Sequence, residues 1–276
     1  DYSDRIDQAH DLLGADHLFR QLVVQRSRAY AKESQIRETG QATIFPEREP
    51  PIVAEYSIRK SYGHLLDTLE RAFEKKAPLF TLPMYYPLAW YKGDDSTIDP
   101  LEENRQQQVV GLIRPLFLKR FESSVQSFEL SCSRLLKKVV AFIEVHSASA
   151  SDKRRLERWS GIHQEMLGYA RQLGFGEIDE ELEEDFIPEE MLAAVEVLNP
   201  DEFDIPEMLT EAFLDLDQLA AFLEETRKFD AKQDDKLQKL VSLLKTKDLS
   251  GQKVLVFTEF ADTARYLHHE LSLRGI

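Results

Sequence analysis

Apolar residues recur at steps of three and four along much of this chain, which is the spacing of one face of an α-helix. The longest such run begins near residue 101, and its regular apolar positions are Phe121, Val125, Phe128, Cys132, Leu135, Val139 and Ile143. We expect this run to pack along one side as a helix that Pro115 kinks or restarts and that the segment 147–153 ends.

The same period predicts other helices in the chain. One covers Tyr62–Lys76, a second covers Asp235–Lys247, and further helices joined by proline turns are expected over residues 154–232. Residues 77–96 lie between the helix Tyr62–Lys76 and the long run that begins near residue 101. They contain three prolines and several aromatic side chains, so they predict a long loop. The fold class is therefore mainly α.

Two short segments predict strands instead. Residues 52–58 alternate between apolar and polar positions, as a half-buried strand does, and Val254–Phe257 is an unbroken apolar run typical of a strand buried on both faces. A helix should follow, stopped at Gly275, with an inward stripe of Phe260, Ala264, Leu267 and Leu271. Because a strand followed by a helix is half of a crossover unit, we expect the chain to be cut within a larger sheet.

Composition and charge narrow the function classes. The chain has 276 residues, of which 42% are apolar and 31% are charged, and no window approaches the roughly 20 apolar residues of a membrane span. The single Cys132 excludes an internal disulfide framework and suits a reducing cytoplasm, and no secretory signal is evident at Asp1. The seven histidines show no zinc-binding spacing with cysteine or glutamate, so we expect no metal site.

Negative charge is concentrated in one part of the chain. Between Gln172 and Thr226 there is no lysine or arginine, and there are 19 acidic residues. Because the whole chain carries −15, the remainder carries about +4. Salt screens charges over roughly 8 Å, so an anionic partner can still bind elsewhere on the surface.

Three segments carry recognisable motifs in a fixed order. The C-terminal DDKLQKLVSLLKTKDLSGQKVLVFTEFADTARYLHHELSLRGI has a helix of the form D-x-K-L-x-x-L-x-x-L-L before a strand ending in F-T-E-F. Upstream lie LIRPLFLKRFESSVQSFELSCSRLL and, earlier, LVVQRSRAYAKES followed by FPEREPP. In this order they resemble motif IV at the start of the second motor lobe, the inter-lobe helices and the close of the first lobe in Swi/Snf-type ATPases of helicase superfamily two, of the bacterial RapA-like kind. In the segment LVVQRSRAYAKES, Gln25 stands where this family usually has the first of two arginines.

The resemblance implies three parts of the chain. Residues 1–60 would end the first motor lobe, residues 61–234 would be a helical inter-lobe bundle with an acidic insertion at about 177–226, and residues 235–276 would begin the second lobe as an incomplete β-α unit of a RecA-like sheet. The parent protein would then be a cytoplasmic DNA-dependent ATPase and translocase that acts on double-stranded DNA with ATP and magnesium.

The ATP chemistry of such motors needs residues that this sequence lacks. It has no G-x-x-x-x-G-K-[ST] and no D-E-x-[HQ], and the arginine motif of the second lobe would lie beyond Ile276. We therefore expect no catalytic residue, no cofactor bound by this chain alone and no ATP hydrolysis by it. Its part would be to couple the lobes and to supply some of the DNA track.

The candidate DNA contacts come from the resemblance and from the basic residues. Motif IV contributes Thr258, Glu259 and Phe260, at the carboxyl end of the predicted strand. The plainer roles are helix capping by Thr258 or Asp262 and packing by Phe260. The close of the first lobe contributes Arg26 and Arg28, and the long helical run contributes Lys119 and Arg120, for which salt bridges or simple solvation are the alternatives. Arg134, Lys137 and Lys138 extend the basic surface of the same run.

Two other features have competing interpretations. The aromatic residues of the 77–96 loop, Phe80, Tyr85, Tyr86, Trp90 and Tyr91, suggest base stacking, but their proline-rich context favours packing against a helix. The acidic segment carries apolar residues at helical spacing and should fold, with acids that repel DNA or bind a basic protein. A protein-interaction module without motor function is therefore the alternative to the motor.

Overall fold

Helices make up nearly all the regular structure of the residues that the computed structural model describes, which are 28–41, 50–72, 80–173 and 197–276. The mainly α class predicted from the apolar spacing is thereby confirmed. The chain divides into two compact units, residues 1–53 and 54–276. The described helix of the first unit is α1 (Arg28–Thr39), and Gly40 closes it by donating its N–H to the carbonyl of Ile36 at 3.0 Å.

The described helices of the second unit are α2 (Ile58–Ala72), α3 (Pro100–Ser123), α4 (Val125–His146), α5 (Ala150–Ile162), α6 (Gln164–Leu173), α7 (Ile205–Thr226), α8 (Asp235–Leu244) and α9 (Ala261–Leu273). Short 3-10 turns cover Pro87–Trp90, Asp95–Thr97 and Ala231–Gln233. The domain boundaries that the resemblance implies at residues 60 and 234 stay predictions.

The core of the second unit lies where α4 and α7 pack together, with α2 and α3 alongside. Phe128 is fully buried at its centre, and its ring lies 5.9 Å from Phe117, 5.4 Å from Phe121 and 5.5 Å from Phe222, each edge to face. Each edge-to-face pair of this kind stabilises the fold by roughly 0.5–1.5 kcal/mol beyond the contribution from burying the rings. Every member of the apolar run predicted from Phe121 to Ile143 is buried, so that prediction is confirmed.

The long run is broken at Ser124, whereas the sequence pointed to Pro115. Pro115 lies inside α3, and the chain continues as a helix beyond it. Ser124 is extended, ends α3 by donating its N–H to the carbonyl of Arg120 at 3.0 Å, and begins α4 by accepting from the N–H of Ser127 at 3.1 Å. A serine hydroxyl satisfies an orphan N–H at a helix start, which is why the break occurs here. The predicted end within 147–153 is confirmed, because α4 stops at His146 and Ser149 caps α5.

The aromatic loop packs against the helical body, as the proline-rich context indicated. Phe80 is buried, with its ring 6.1 Å from Phe117 and 5.9 Å from Phe222. Asp215 on α7 holds the start of this loop, because its carboxylate accepts from the N–H of Thr81 at 3.0 Å and from that of Leu82 at 2.7 Å.

The strand predicted over residues 52–58 is wrong. The chain has no strand there, Ile52 and Val53 are 91% and 83% exposed, and α2 already begins at Ile58. Ser57 explains the difference, since its hydroxyl accepts from the N–H of Lys60 at 3.2 Å and so caps a helix.

Residues 254–257 are also not a buried strand. They carry no strand in the structure, and Leu255 and Phe257 are 82% and 88% exposed. A strand needs a neighbour to pair with, and no element of the described residues supplies one.

The helix predicted after this segment is confirmed as α9, and three members of the predicted inward stripe lie on its packed side. Phe260 is buried, and Leu267 and Leu271 are partly buried against Leu237, Val241 and Tyr266, whereas Ala264 is exposed. The inward face also carries the buried Asp262 and Thr263, which the apolar period did not predict. The predicted stop is confirmed, because Gly275 has φ +69° and the N–H of Ile276 reaches back to the carbonyl of Leu271 at 3.0 Å.

Candidate functional site

The break between α3 and α4 meets the start of α9, and this contact brings five of the predicted site residues together. Lys119 Nζ lies 3.3 Å from Glu259 Oε1, and both side chains are exposed. One residue further along each segment, Arg120 is buried and its guanidinium carbon lies 4.6 Å from the centre of the Phe260 ring. Thr258 directly precedes Glu259 and Phe260 and is partly buried.

Asp262 organises this contact. Arg120 Nη1 lies 3.0 Å from Asp262 Oδ2, and both side chains are almost completely buried. Arg134 Nη1 on α4 lies 3.6 Å from the same oxygen, and Arg265 Nη1 lies 2.9 Å from Oδ1. A carboxylate in the first turn of a helix is also favoured by the helix dipole. One buried carboxylate thus joins α3, α4 and α9.

Hydroxyl groups complete the contact beneath the ion pairs. Thr263 Oγ1 lies 2.7 Å from Ser123 Oγ and 2.8 Å from Ser124 Oγ. Ser124 therefore caps α4 and docks α9 with one side chain.

Replacing Ser124 by alanine is expected to lower the free energy of unfolding by about 2 kcal/mol, because it removes both a cap and a buried hydrogen bond. Ser149 is the matched control, since it caps α5 in the same way by accepting from the N–H of Asp152 at 3.0 Å but does no docking. Ser149→Ala should cost about 1 kcal/mol. Urea unfolding measures both values, and equal losses would contradict a docking role for Ser124.

A second set of contacts joins α8 to the same place. Lys236 Nζ donates to the carbonyl oxygens of Glu122 at 2.8 Å and Ser123 at 3.2 Å, which are orphan groups at the end of α3. Tyr266 Oη donates to Asp234 Oδ2 at 2.9 Å, and burial together with this carboxylate raises the pKa of Tyr266. Leu237, Val241 and Tyr266 form a small apolar cluster apart from the main core.

A cavity of about 250 Å³ lies between α8, α9 and residues 256–258. Its lining is mostly apolar and includes Tyr56, Leu240, Val256, Thr258 and Leu267. The cavity therefore lies beside the motif-IV-like segment.

As DNA contacts, all of the predicted site residues stay predictions. Arg26 and the side chain of Arg28 lie outside the described part of the structure. Arg120 is 2% exposed and engaged with Asp262, so its contact with a DNA phosphate would require that ion pair to open. Charge reversal at Arg120 therefore tests the contact between α3 and α9 before it tests DNA binding.

Sequence reasoning considered Asp262 only as a possible helix cap, missed Arg265, and had no partner for Arg134. A signal was present, since Asp262 and Arg265 are three residues apart on a predicted helix and so share a face. The partner across the contact, Arg120, is 142 residues away in sequence and carries no local signal.

Among the described residues, no group of three or more histidine, cysteine, aspartate or glutamate side chains is arranged to hold a metal ion. The same residues include no helix with both the length and the apolar character that crossing a bilayer requires.

Comparisons with protein-family models, with curated proteins and with solved structures found no match to this chain.

Proposed function

We propose that this chain is part of a cytoplasmic DNA-dependent ATPase and translocase of the Swi/Snf type, in which it couples the two motor lobes and supplies part of the track for double-stranded DNA. ATP and magnesium would be bound by other parts of the same protein. The observation that carries the proposal is the contact of Arg120 with Asp262. It joins two segments that each resemble this family and that are far apart in sequence.

The contact suits a coupling element. A buried ion pair depends strongly on geometry, because breaking it leaves an uncompensated charge away from water. Arg120, Asp262 and the hydroxyls of Ser123, Ser124 and Thr263 therefore favour one position of α9 against the helices α3 and α4. In a motor, such a contact would pass a movement of the second lobe to the inter-lobe helices.

The coding sequence on either side of this chain provides the test. The proposal expects a G-x-x-x-x-G-K-[ST] motif and an acidic magnesium motif upstream, and an arginine motif downstream. Flanking sequence that encodes none of these three motifs would contradict the proposed motor function.

A protein-interaction module is the second candidate, and one observation favours it. The exposed acids Glu207, Asp217 and Glu224 lie on α7 together with the half-exposed Leu214, and the last two acids also contact Trp159 and His163. An acidic face with an apolar residue at its centre suits a basic amphipathic helix of another protein. Titration of the chain with such a helical peptide, compared with a Glu207→Lys and Glu224→Lys variant, tests this candidate. Equal binding by both proteins would exclude it.

A further inference from the structure

Three guanidinium groups share one carboxylate at the contact of α4 and α9. Arg120 reaches Asp262 from the buried side, while Arg134 and Arg265 reach it from the surface. The carboxylate neutralises one of these three charges. An excess of positive charge therefore remains at the surface end of the group.

The surface members are accessible. The side chains of Arg134 and Arg265 are 29% and 48% exposed, compared with 3% for Arg120. Lys137 is exposed one turn along α4 from Arg134. Partial burial and the charge of Arg134 lower the pKa of Lys137, which agrees with its lying in the same positive region. These three residues, Arg134, Lys137 and Arg265, are here named the α4–α9 basic surface.

We infer that the α4–α9 basic surface binds backbone phosphates of double-stranded DNA, an assignment that rests on the proposed function. The guanidinium groups of Arg134 and Arg265 are held in place by Asp262 before any ligand arrives. Arginine presents several N–H donors in a rigid fork, so each can contact the aspartate and a phosphate together. Groups already held in position lose less side-chain freedom on binding, which favours affinity.

The location also distinguishes this surface from another cluster of similar charge. Lys153, Arg154 and Arg158 are exposed on α5. That helix lies against the acidic α7, since Trp159 Nε1 donates to Asp217 Oδ1 at 2.6 Å and His163 Nδ1 lies 3.2 Å from Glu224 Oε1. Carboxylates next to α5 repel a polyanion, so we expect its basic residues to bind DNA poorly.

A binding experiment with matched variants tests the inference. A fluorescent DNA duplex of about 20 base pairs is titrated with the intact chain, and anisotropy is followed at several salt concentrations. Lys137→Gln with Arg265→Gln removes two charges from the α4–α9 basic surface and leaves the Arg120–Asp262 pair in place. Lys153→Gln with Arg154→Gln removes the same charge from α5.

The α4–α9 variant is expected to bind about tenfold more weakly at low salt, with a salt slope smaller by about 2, because two phosphate contacts are lost. The α5 variant should change affinity less than about twofold. Circular dichroism of both variants should match that of the parent chain, since every substituted side chain is exposed.

Several outcomes would overturn the inference. Equal weakening by both variants would mean that only net charge matters. Unchanged binding by the α4–α9 variant, or no duplex binding by the parent chain at low salt, would show that this surface does not bind DNA. Preferential binding of polyglutamate with the same loss would assign the surface to an acidic protein. None of these results touches the flanking motifs that test the motor itself, so the two failures are distinguishable.

Discussion

Replacing Asp262 by alanine is expected to lower the free energy of unfolding by about 3–5 kcal/mol, one of the two largest effects that we predict. The loss arises because Arg120, which is 2% exposed, would keep its charge without the carboxylate 3.0 Å away. Arg134 and Arg265 lose the same partner, but both are exposed enough for water to replace it. Urea unfolding followed by circular dichroism measures the difference.

The neighbouring ion pair provides the control. Lys119 and Glu259 lie 3.3 Å apart, one to three residues from the buried pair, but their side chains are 55% and 62% exposed. Glu259→Ala should therefore cost less than about 1 kcal/mol.

A double variant separates a buried charge from a general packing defect. Arg120→Met together with Asp262→Ala removes both charges and should recover part of the loss seen with Asp262→Ala alone. A double variant that is less stable than the single variant, or an Asp262→Ala variant no worse than Glu259→Ala, would contradict the role given to Asp262.

The contribution of Asp215 to the stability of the chain is expected to fall as the pH rises from about 4 to about 7. Burial raises the pKa of Asp215 to about 7, even though the N–H groups of Leu82 and Thr81 donate to it. The unfolded chain keeps the ordinary value of 3.8, so the folded state binds the proton more tightly. The resulting stability is fully present below about pH 4 and is lost as the pH rises through 7, with a total change of up to about 4 kcal/mol.

Asp215→Asn should remove this contribution of Asp215 and so flatten the pH profile relative to the parent. It should also be less stable than the parent at low pH, because an amide nitrogen would face one of the two N–H donors of the loop. Glu207→Gln, an exposed acid on the same helix, should leave the pH profile unchanged. Unfolding curves collected between pH 4.5 and 8 make the comparison, and parallel profiles for the parent and Asp215→Asn would refute the assignment.

The sequence was most informative where the apolar positions of a helical period all face one core. The run from Phe121 to Ile143 was predicted correctly because each of its members faces one core, so burial follows the period. Gly275 was also readable, since a left-handed stop strongly favours glycine. These features depend on local physics alone.

The predictions that were wrong share a different cause. Ser124 interrupts the helices with a side-chain cap that competes with the period, and Ser57 starts a helix where alternation suggested a strand. At α9 the inward face carries Asp262 and Thr263, polar residues that become favourable only because Arg120 and Ser124 meet them from far along the chain. The sequence provided the candidate residues of the site, and tertiary contacts decided which of them meet.

The most direct test of the central claim, that this chain belongs to a DNA-driven motor, is ATP hydrolysis by the protein encoded together with its flanking coding sequence. Hydrolysis should be slow alone, should rise when double-stranded DNA is added, and should lose most of that rise when Asp262 is replaced by alanine. A folded protein that hydrolyses no ATP with or without DNA would contradict the claim.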